Sequence, residues 1–202
     1  MIISFAGWPG SGKSTIAKSI AAELGWPYYS MGQLRREAAK RRGMTLEEYN
    51  QLAMTDISTD LEVDEYQSKL GKEQDNFVID GRTSWHFIPQ SYKIFLTVDP
   101  QVGAERIFQE LQQGGDRNEG YNLNTVEAVL NSNYERVNND RKRYQQYFGI
   151  DVYDLANYDE VVDTTNLTID EVIAKVRALV KERLAQTKSG NWAILYFIYI
   201  LN

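Results

Sequence analysis

The sequence predicts an α/β protein in three layers, α/β/α, around a five-stranded parallel sheet. Three observations predict it. Short apolar runs alternate with helical patterns along the chain, two of those runs (76–80 and 93–99) are apolar nearly throughout and close on an aspartate, and a glycine-rich loop separates the first run from the first helical pattern. Strands covered by helices on both faces read in this way, and the alternation makes the sheet parallel. A length of 202 residues suits one domain with room for a mobile insertion. The apolar share of 43%, with 25% charged residues, excludes a disordered chain.

Taken in order, Ile2 to Ala6 reads as a buried strand, and Lys13 to Leu24 as a helix with Ile16, Ile20 and Leu24 on one face. Tyr28-Tyr29 is a brief second strand. Ser30 suits the cap of a helix over 32–42, and Thr45 with Glu48 forms a capping box for the next. A helix over 60–74 precedes the third and fourth strands, at 76–80 and 93–99. The region from about 100 to 147 is mostly helical with a break at Gly114-Gly115. A fifth strand at 159–163 leads to an amphipathic helix over 168–184 through Val172, Val176 and Val180.

Charge and composition exclude several function classes. With 22 basic and 28 acidic residues the net charge is −6, so bulk attraction to nucleic acid is absent. No cysteine and one histidine exclude a disulfide framework or thiolate metal site and disfavour a histidine-based one. The N-terminus lacks the basic flank of a signal peptide, and no apolar run reaches the length of a spanning helix, so the expected location is cytoplasmic. The longest apolar run, Trp192 to Leu201, ends the chain.

The strongest chemical signal is Gly7-Trp-Pro-Gly-Ser-Gly12-Lys13-Ser14, which fits the phosphate-binding loop G-x-x-x-x-G-K-[ST] and is followed by Thr15. Glycines let the backbone curl so that several N–H groups aim at one centre, and the helix starting at Lys13 adds its positive end. ATP binding is therefore expected along Gly7, Pro9, Gly10, Ser11, Gly12, Lys13, Ser14 and Thr15. Lys13 serves the β- and γ-phosphates, and the Ser14 hydroxyl serves Mg²⁺.

Three further stretches follow: 28–37 (YYSMGQLRRE), 78–82 (VIDGR) and 135–144 (ERVNNDRKRY). In this order after the loop they resemble the nucleoside monophosphate kinases, and most closely the cytidylate kinases of the short archaeal type. The stretches 42–49, 60–64, 147–151 and 158–165 extend the resemblance to roughly residues 2–183. It implies a P-loop NTPase-type fold in one domain over 1–188. A helical acceptor-binding region would cover about 30–75, and a small mobile lid about 103–122. It also implies ATP-dependent phosphoryl transfer to CMP or dCMP with ATP and Mg²⁺ as cofactors, and a monomer acting on small nucleotides. Another small acceptor, or a nucleotide-binding regulatory role with weakened catalysis, are the alternatives.

Residue by residue, the resemblance places Lys13, Arg82, Arg136 and Arg143 in catalysis. Ser30, Gly32, Arg36, Asp80, Gly81, Arg82, Trp85 and Asp140 are placed at the acceptor, Arg106 and Arg117 at ATP, and Asp80 at Mg²⁺ through water. The residues support parts of this directly. Guanidinium forks match phosphate edges, and Arg82 follows a strand's carboxyl end, where open α/β sheets bind ligands. Arg136 and Arg143 are two helical turns apart and share a face, with Asp140 between them. Arg35, Lys40, Arg41 and Arg42 read as a solvated basic face around Arg36. No strong general base is evident, as suits an acceptor phosphate that is already ionised. His86 reads as a packed residue among aromatics.

The sequence also departs from the family. Gly103 replaces the arginine that usually opens the lid, the segment 109–120 has one basic residue, Arg117, and Val137 stands where an acidic partner is common. Met31 and Thr83 differ from the bacterial cytidylate kinase pattern. Binding cytosine requires a matched acceptor for its exocyclic amine. Residues 189–202 lie beyond the resemblance as a hydrophobic tail. It reads as an added strand, a self-association patch or an appendage without function.

Overall fold

The computed structural model describes the backbone of residues 1–113 and 123–200 and the side chains of those residues through 186. Five strands, β1 (Ile2–Gly7), β2 (Tyr28–Ser30), β3 (Phe77–Asp80), β4 (Tyr92–Thr97) and β5 (Glu160–Asp163), form one sheet in the order β2-β3-β1-β4-β5. Every neighbouring pair is parallel. The helices are α1 (Lys13–Leu24), α2 (Met31–Arg41), α3 (Leu46–Leu52), α4 (Ser58–Glu73), α5 (Ser84–Phe87), α6 (Pro100–Gln112), α7 (Val126–Phe148) and α8 (Ile169–Ile200). Among the described residues, no helix is long and apolar enough to cross a membrane.

The two-residue period of the strands sorts their side chains into two cores. Ile3 and Phe5 of β1, Val78 of β3, Ile94 and Leu96 of β4 and Val162 of β5 pack with Ile16 and Ile20 of α1 and Val172, Val176 and Val180 of α8. On the other face, Ile2, Phe77 and Ile79 meet Met31, Val63 and Leu70 of α2 and α4, while Ala6 and Phe95 meet Val137 and Tyr144 of α7. Val137 is thus a core contact, and an acidic side chain there would be buried against Phe95 and Tyr144. The expected elements form within a few residues of their expected bounds, except that the last helix, expected to end at 184, runs on to Ile200, and the short α5 is an addition. The Thr45–Glu48 capping box forms with both of its hydrogen bonds.

Parallel pairing collects the carboxyl ends of all five strands at one edge, and the register sets Asp80 beside both Phe5 and Ser30. The functional side chains gather there. The added-strand reading of the tail is corrected: α8 runs without a break to Ile200, so the backbone through that residue continues the last helix. The tail side chains that would form a self-association patch lie outside the described residues, as do residues 114–122 of the expected lid, including Arg117.

Candidate active site

A cleft of about 470 Å³ opens at the carboxyl edge of the sheet. Its floor is the loop between β1 and α1. Gly10 and Gly12 hold left-handed φ angles of 78° and 79°, and Gly12 caps α1 without a side-chain bond. Gly7, Pro9, Gly10, Ser11, Gly12, Lys13, Ser14 and Thr15 all line the cleft.

The Lys13 ammonium lies 3.3 Å from a carboxylate oxygen of Asp80. Burial lowers the Lys13 pKa and Asp80 opposes this, but the nearby charges of Arg82 and Arg136 lower it further. Three cations therefore converge on one point, as a site for a polyanion requires. Asp80 is fully buried. Tyr28 Oη donates to it at 2.6 Å and Ser30 Oγ at 3.0 Å. Burial alone would raise its pKa, but the Lys13 charge and hydrogen bonds from Tyr28, Ser14 and Ser30 outweigh it and hold the carboxyl below its ordinary range. Ser30 also caps α2 by accepting from the Gln33 N–H.

The far wall is built by α2, α4 and the β3–α5 turn: Gly32, Arg35, Arg36, Asp60, Asp64, Gly81, Arg82 and Thr83 line it, with Arg136 of α7. Arg82 is anchored from behind, its Nε 2.5 Å from Asp140 and 3.2 Å from Tyr153 Oη. Burial raises the Asp140 pKa, but Arg82, Arg143 and Arg136 overcome it and keep the carboxylate ionised.

Several expected site residues stand elsewhere. Arg143 is buried at 1% exposure and ion-pairs with Asp60 and Asp140, each at 3.0 Å, so it braces the site from within rather than lining it. Asp140, Asp80 and Ser30 likewise stand behind the cleft wall and act through Arg82 and Lys13. Trp85 lies outside the wall too; it packs edge-on against Tyr158 and His86 because the turn of α5 directs it to the β4–α7 core. His86 packs among Trp85, Phe87 and Phe148, and burial lowers its pKa.

Arg35 is the reverse case. It is buried, not solvated: it pairs closely with Asp60 and donates to Asn50 at 2.8 Å, while Lys40, Arg41 and Arg42 are exposed as expected. Its partner Asp60 and neighbour Asp64, four apart on α4, belong to the stretch 60–64 that extends the resemblance, which assigned neither a site role.

Arg106 lines the cleft, but its guanidinium donates to the carbonyl oxygens of Thr164 at 2.8 Å and Thr165 at 3.2 Å. It pins the loop after β5, whose Leu167, with Ile169 and Val172 beyond it, supplies an apolar wall that the motifs did not reveal. The glycine at 103 also has a structural cause. A Cβ there would lie 2.7 Å from the Pro9 carbonyl oxygen, and a Cβ on Gly10 would lie 2.2 Å from that of Gly103. The phosphate loop and α6 touch backbone to backbone at this point, which excludes an arginine. Gly103→Ala is therefore expected to displace the loop and raise the KM for ATP severalfold with little effect on the acceptor KM. Steady-state kinetics with each substrate varied checks this.

A strand–loop–helix phosphate cradle with a half-buried lysine, facing clustered arginines across one cleft, defines a P-loop kinase. The AAA domain family matches residues 6–119. The chain is 36% identical to a cytidylate kinase of Pyrococcus furiosus, covering 89% of this chain and 88% of that one. It is 35% identical to a cytidylate kinase of Methanocella arvoryzae, covering 82% and 88%. The fold matches the crystal structure of shikimate kinase from Bacteroides thetaiotaomicron with a TM-score of 0.56 at 15% identity, over 90% of this chain and 98% of that one. The chain belongs to the cytidylate kinase family and is a nucleoside monophosphate kinase.

Proposed function

We propose that the protein transfers the γ-phosphoryl group of ATP to CMP or dCMP, giving CDP or dCDP. The observation that carries this reading is the convergence of Lys13, Arg82 and Arg136 in one cleft between a phosphate loop and an arginine-bearing second wall. The similarity to cytidylate kinases supports the pyrimidine acceptor.

In this mechanism the loop N–H groups and Lys13 hold the β- and γ-phosphates, and the purine rests near Leu167 and Ile169 below the loop that Arg106 pins. Arg36 and Arg82 grip the acceptor phosphate, and Arg136 meets charge spreading over the transferring oxygens. No side chain removes a proton, because a phosphate monoester is largely ionised near neutral pH. The rate comes from holding two anions in line and neutralising both.

Mg²⁺ fits the residues present. Ser14 offers a hydroxyl on the cleft near the Asp80 carboxylate, whose pKa is held low, and such sites need few protein oxygens because phosphates and water supply the rest. Ser14 would ligate the ion and Asp80 would order its water. When bound, the ion shields the β- and γ-phosphate charge.

The test is ADP formation from ATP with CMP, dCMP, UMP, AMP, GMP and shikimate in turn. Preferential turnover of CMP or dCMP is expected; preference for another acceptor overturns the substrate reading. ATP binding without turnover on any acceptor overturns the catalytic one. Removing residues 189–202 is expected to leave kcat within about twofold, since among the described residues none beyond Val172 lines the cleft. A larger loss in the same assay would assign the tail to the catalytic domain.

A further inference from the structure

Among the described residues, the acceptor wall holds a buried carboxylate oxygen, Asp64 Oδ2, that no protein group fills. On α4, Asp60 and Asp64 are one helical turn apart and both are buried. Asp60 is engaged by Arg35 and Arg143. Asp64 has no ion pair of this kind and is held by neutral donors instead. Gln67 Nε2 donates to its Oδ1 at 2.9 Å, and Thr83 Oγ1 donates to the same oxygen at 3.2 Å.

The directions of these bonds follow from the donor inventory. Ser84 Oγ donates to Gln67 Oε1 at 2.9 Å, which leaves the Gln67 amide group to donate to Asp64 and, at 2.8 Å, to Thr83. The single Thr83 hydroxyl hydrogen then goes to Asp64. Nothing remains for Asp64 Oδ2, a buried oxygen with no partner on a residue that lines the cleft. Buried polar atoms left unpaired in a folded protein call for an explanation, and here the neighbour of Asp64 in the network, Thr83, directly follows Arg82.

We propose that Asp64 is the base-specificity residue of the acceptor site, its Oδ2 accepting the exocyclic N–H of a 4-aminopyrimidine and disfavouring the 4-oxo analogue. This rests on the acceptor reading above. Carboxylates are suited partners of the cytosine amine, and a site built for an N–H donor rejects an analogue lacking it because its buried acceptor is left unpaired.

The electrostatics agree. Burial, and then the neighbouring Asp60 charge, push the Asp64 carboxyl up to about 7, against hydrogen bonds from Gln67 and Thr83 and the Arg35 charge. The charged groups around it are Asp60 on its own helix, with Arg143 of α7 beyond, and Arg35 on α2; the α5 side presents only Thr83 and Ser84. Below this pKa the protonated acid can donate to a 4-oxo group, and above it the carboxylate can only accept. Discrimination in favour of CMP over UMP therefore rises with pH.

The experiment measures kcat/KM for CMP and UMP at pH 6 and pH 8 in the wild-type enzyme and in Asp64→Asn. The ratio cancels ionisation of the phosphate, which both substrates share. In the wild type the CMP:UMP ratio is expected to rise at least threefold between the two pH values. In Asp64→Asn, which keeps an oxygen for Gln67 and Thr83 and can turn an N–H to the base, the ratio at pH 8 is expected to fall at least tenfold and lose its pH dependence. A wild-type ratio that is flat with pH overturns the proposal even if the variant does not fold. So does a folded variant whose ratio stays within twofold. If the wild type prefers neither CMP nor dCMP, the proposed function itself fails. If it prefers CMP while the variant ratio is unchanged, only the assignment to Asp64 fails.

Discussion

Lys13→Ala is expected to lower kcat by on the order of 10²–10³, the loss that accompanies removal of a preorganised charge donor from a transition state. Lys13 is the first residue of α1, where it joins the helix N-terminus and the loop N–H groups at the phosphate site. It is held there by Asp80 at 3.3 Å while Arg82 and Arg136 press on its charge. That arrangement stores an unbalanced positive field, which an incoming triphosphate neutralises and an alanine would leave weaker. The fold should survive, because Asp80 keeps its bonds from Tyr28 and Ser30. Asp80 would still lose the Lys13 cation. Its depressed pKa contributes stability above the ordinary carboxylate pKa, lost as pH falls through the folded value, so the variant should show a smaller loss of melting temperature on acidification than the wild type. Single-turnover kinetics with a thermal melt at two pH values check both parts. A kcat drop below tenfold would contradict the assignment.

Arg82→Ala is expected to cut kcat/KM for the acceptor by at least tenfold and to destabilise the protein by about 3 kcal/mol, as removal of one partner of a buried ion pair does. The two effects have separate origins. Arg82 faces the cleft, whereas its Nε is tied to Asp140 and Tyr153 behind it. Without it, Asp140 retains Arg143 at 3.0 Å and the Tyr153 hydroxyl at 2.9 Å. Arg82→Lys separates the two roles. A lysine keeps a charge near Asp140 but not the two-pronged grip on a phosphate, so stability should largely return while kcat/KM remains at least tenfold low. If activity returned together with stability, the arginine would be a scaffold for the site and not its acceptor clamp.

The two arginines of α2 show where reading the sequence stops. Arg35 and Arg36 are adjacent in a basic run, and the motif alone favours Arg36 as the inward one. In the fold both reach the cleft wall, and Arg35 is the more buried because Asp60 and Asn50, on other helices, pair with it. Arg136 and Arg143 teach the converse. They share a face of α7, yet one meets the cleft while the other enters the interior, where Asp60 and Asp140 pair with it. Gly103, legible only as a missing arginine, is required by a backbone contact with Gly10.

What could be read along the chain alone was whatever a few neighbouring residues encode. That includes the strand and helix periods, the capping box at Thr45, the phosphate loop, and Arg82 at the end of a buried strand. These depend on local backbone geometry and on which face an element must bury, so their information lies within a turn or two of chain. The placement of charges behind the site depended on the tertiary structure. Asp140 and Arg143 could be named from the resemblance, and Asp60 and Asp64 as part of a stretch that supports it, but only the packing of α2, α4, α5 and α7 makes the four a buried network. The reason is that desolvation makes a buried charge's role depend on its partner, and those partners lie from 3 to 83 positions away.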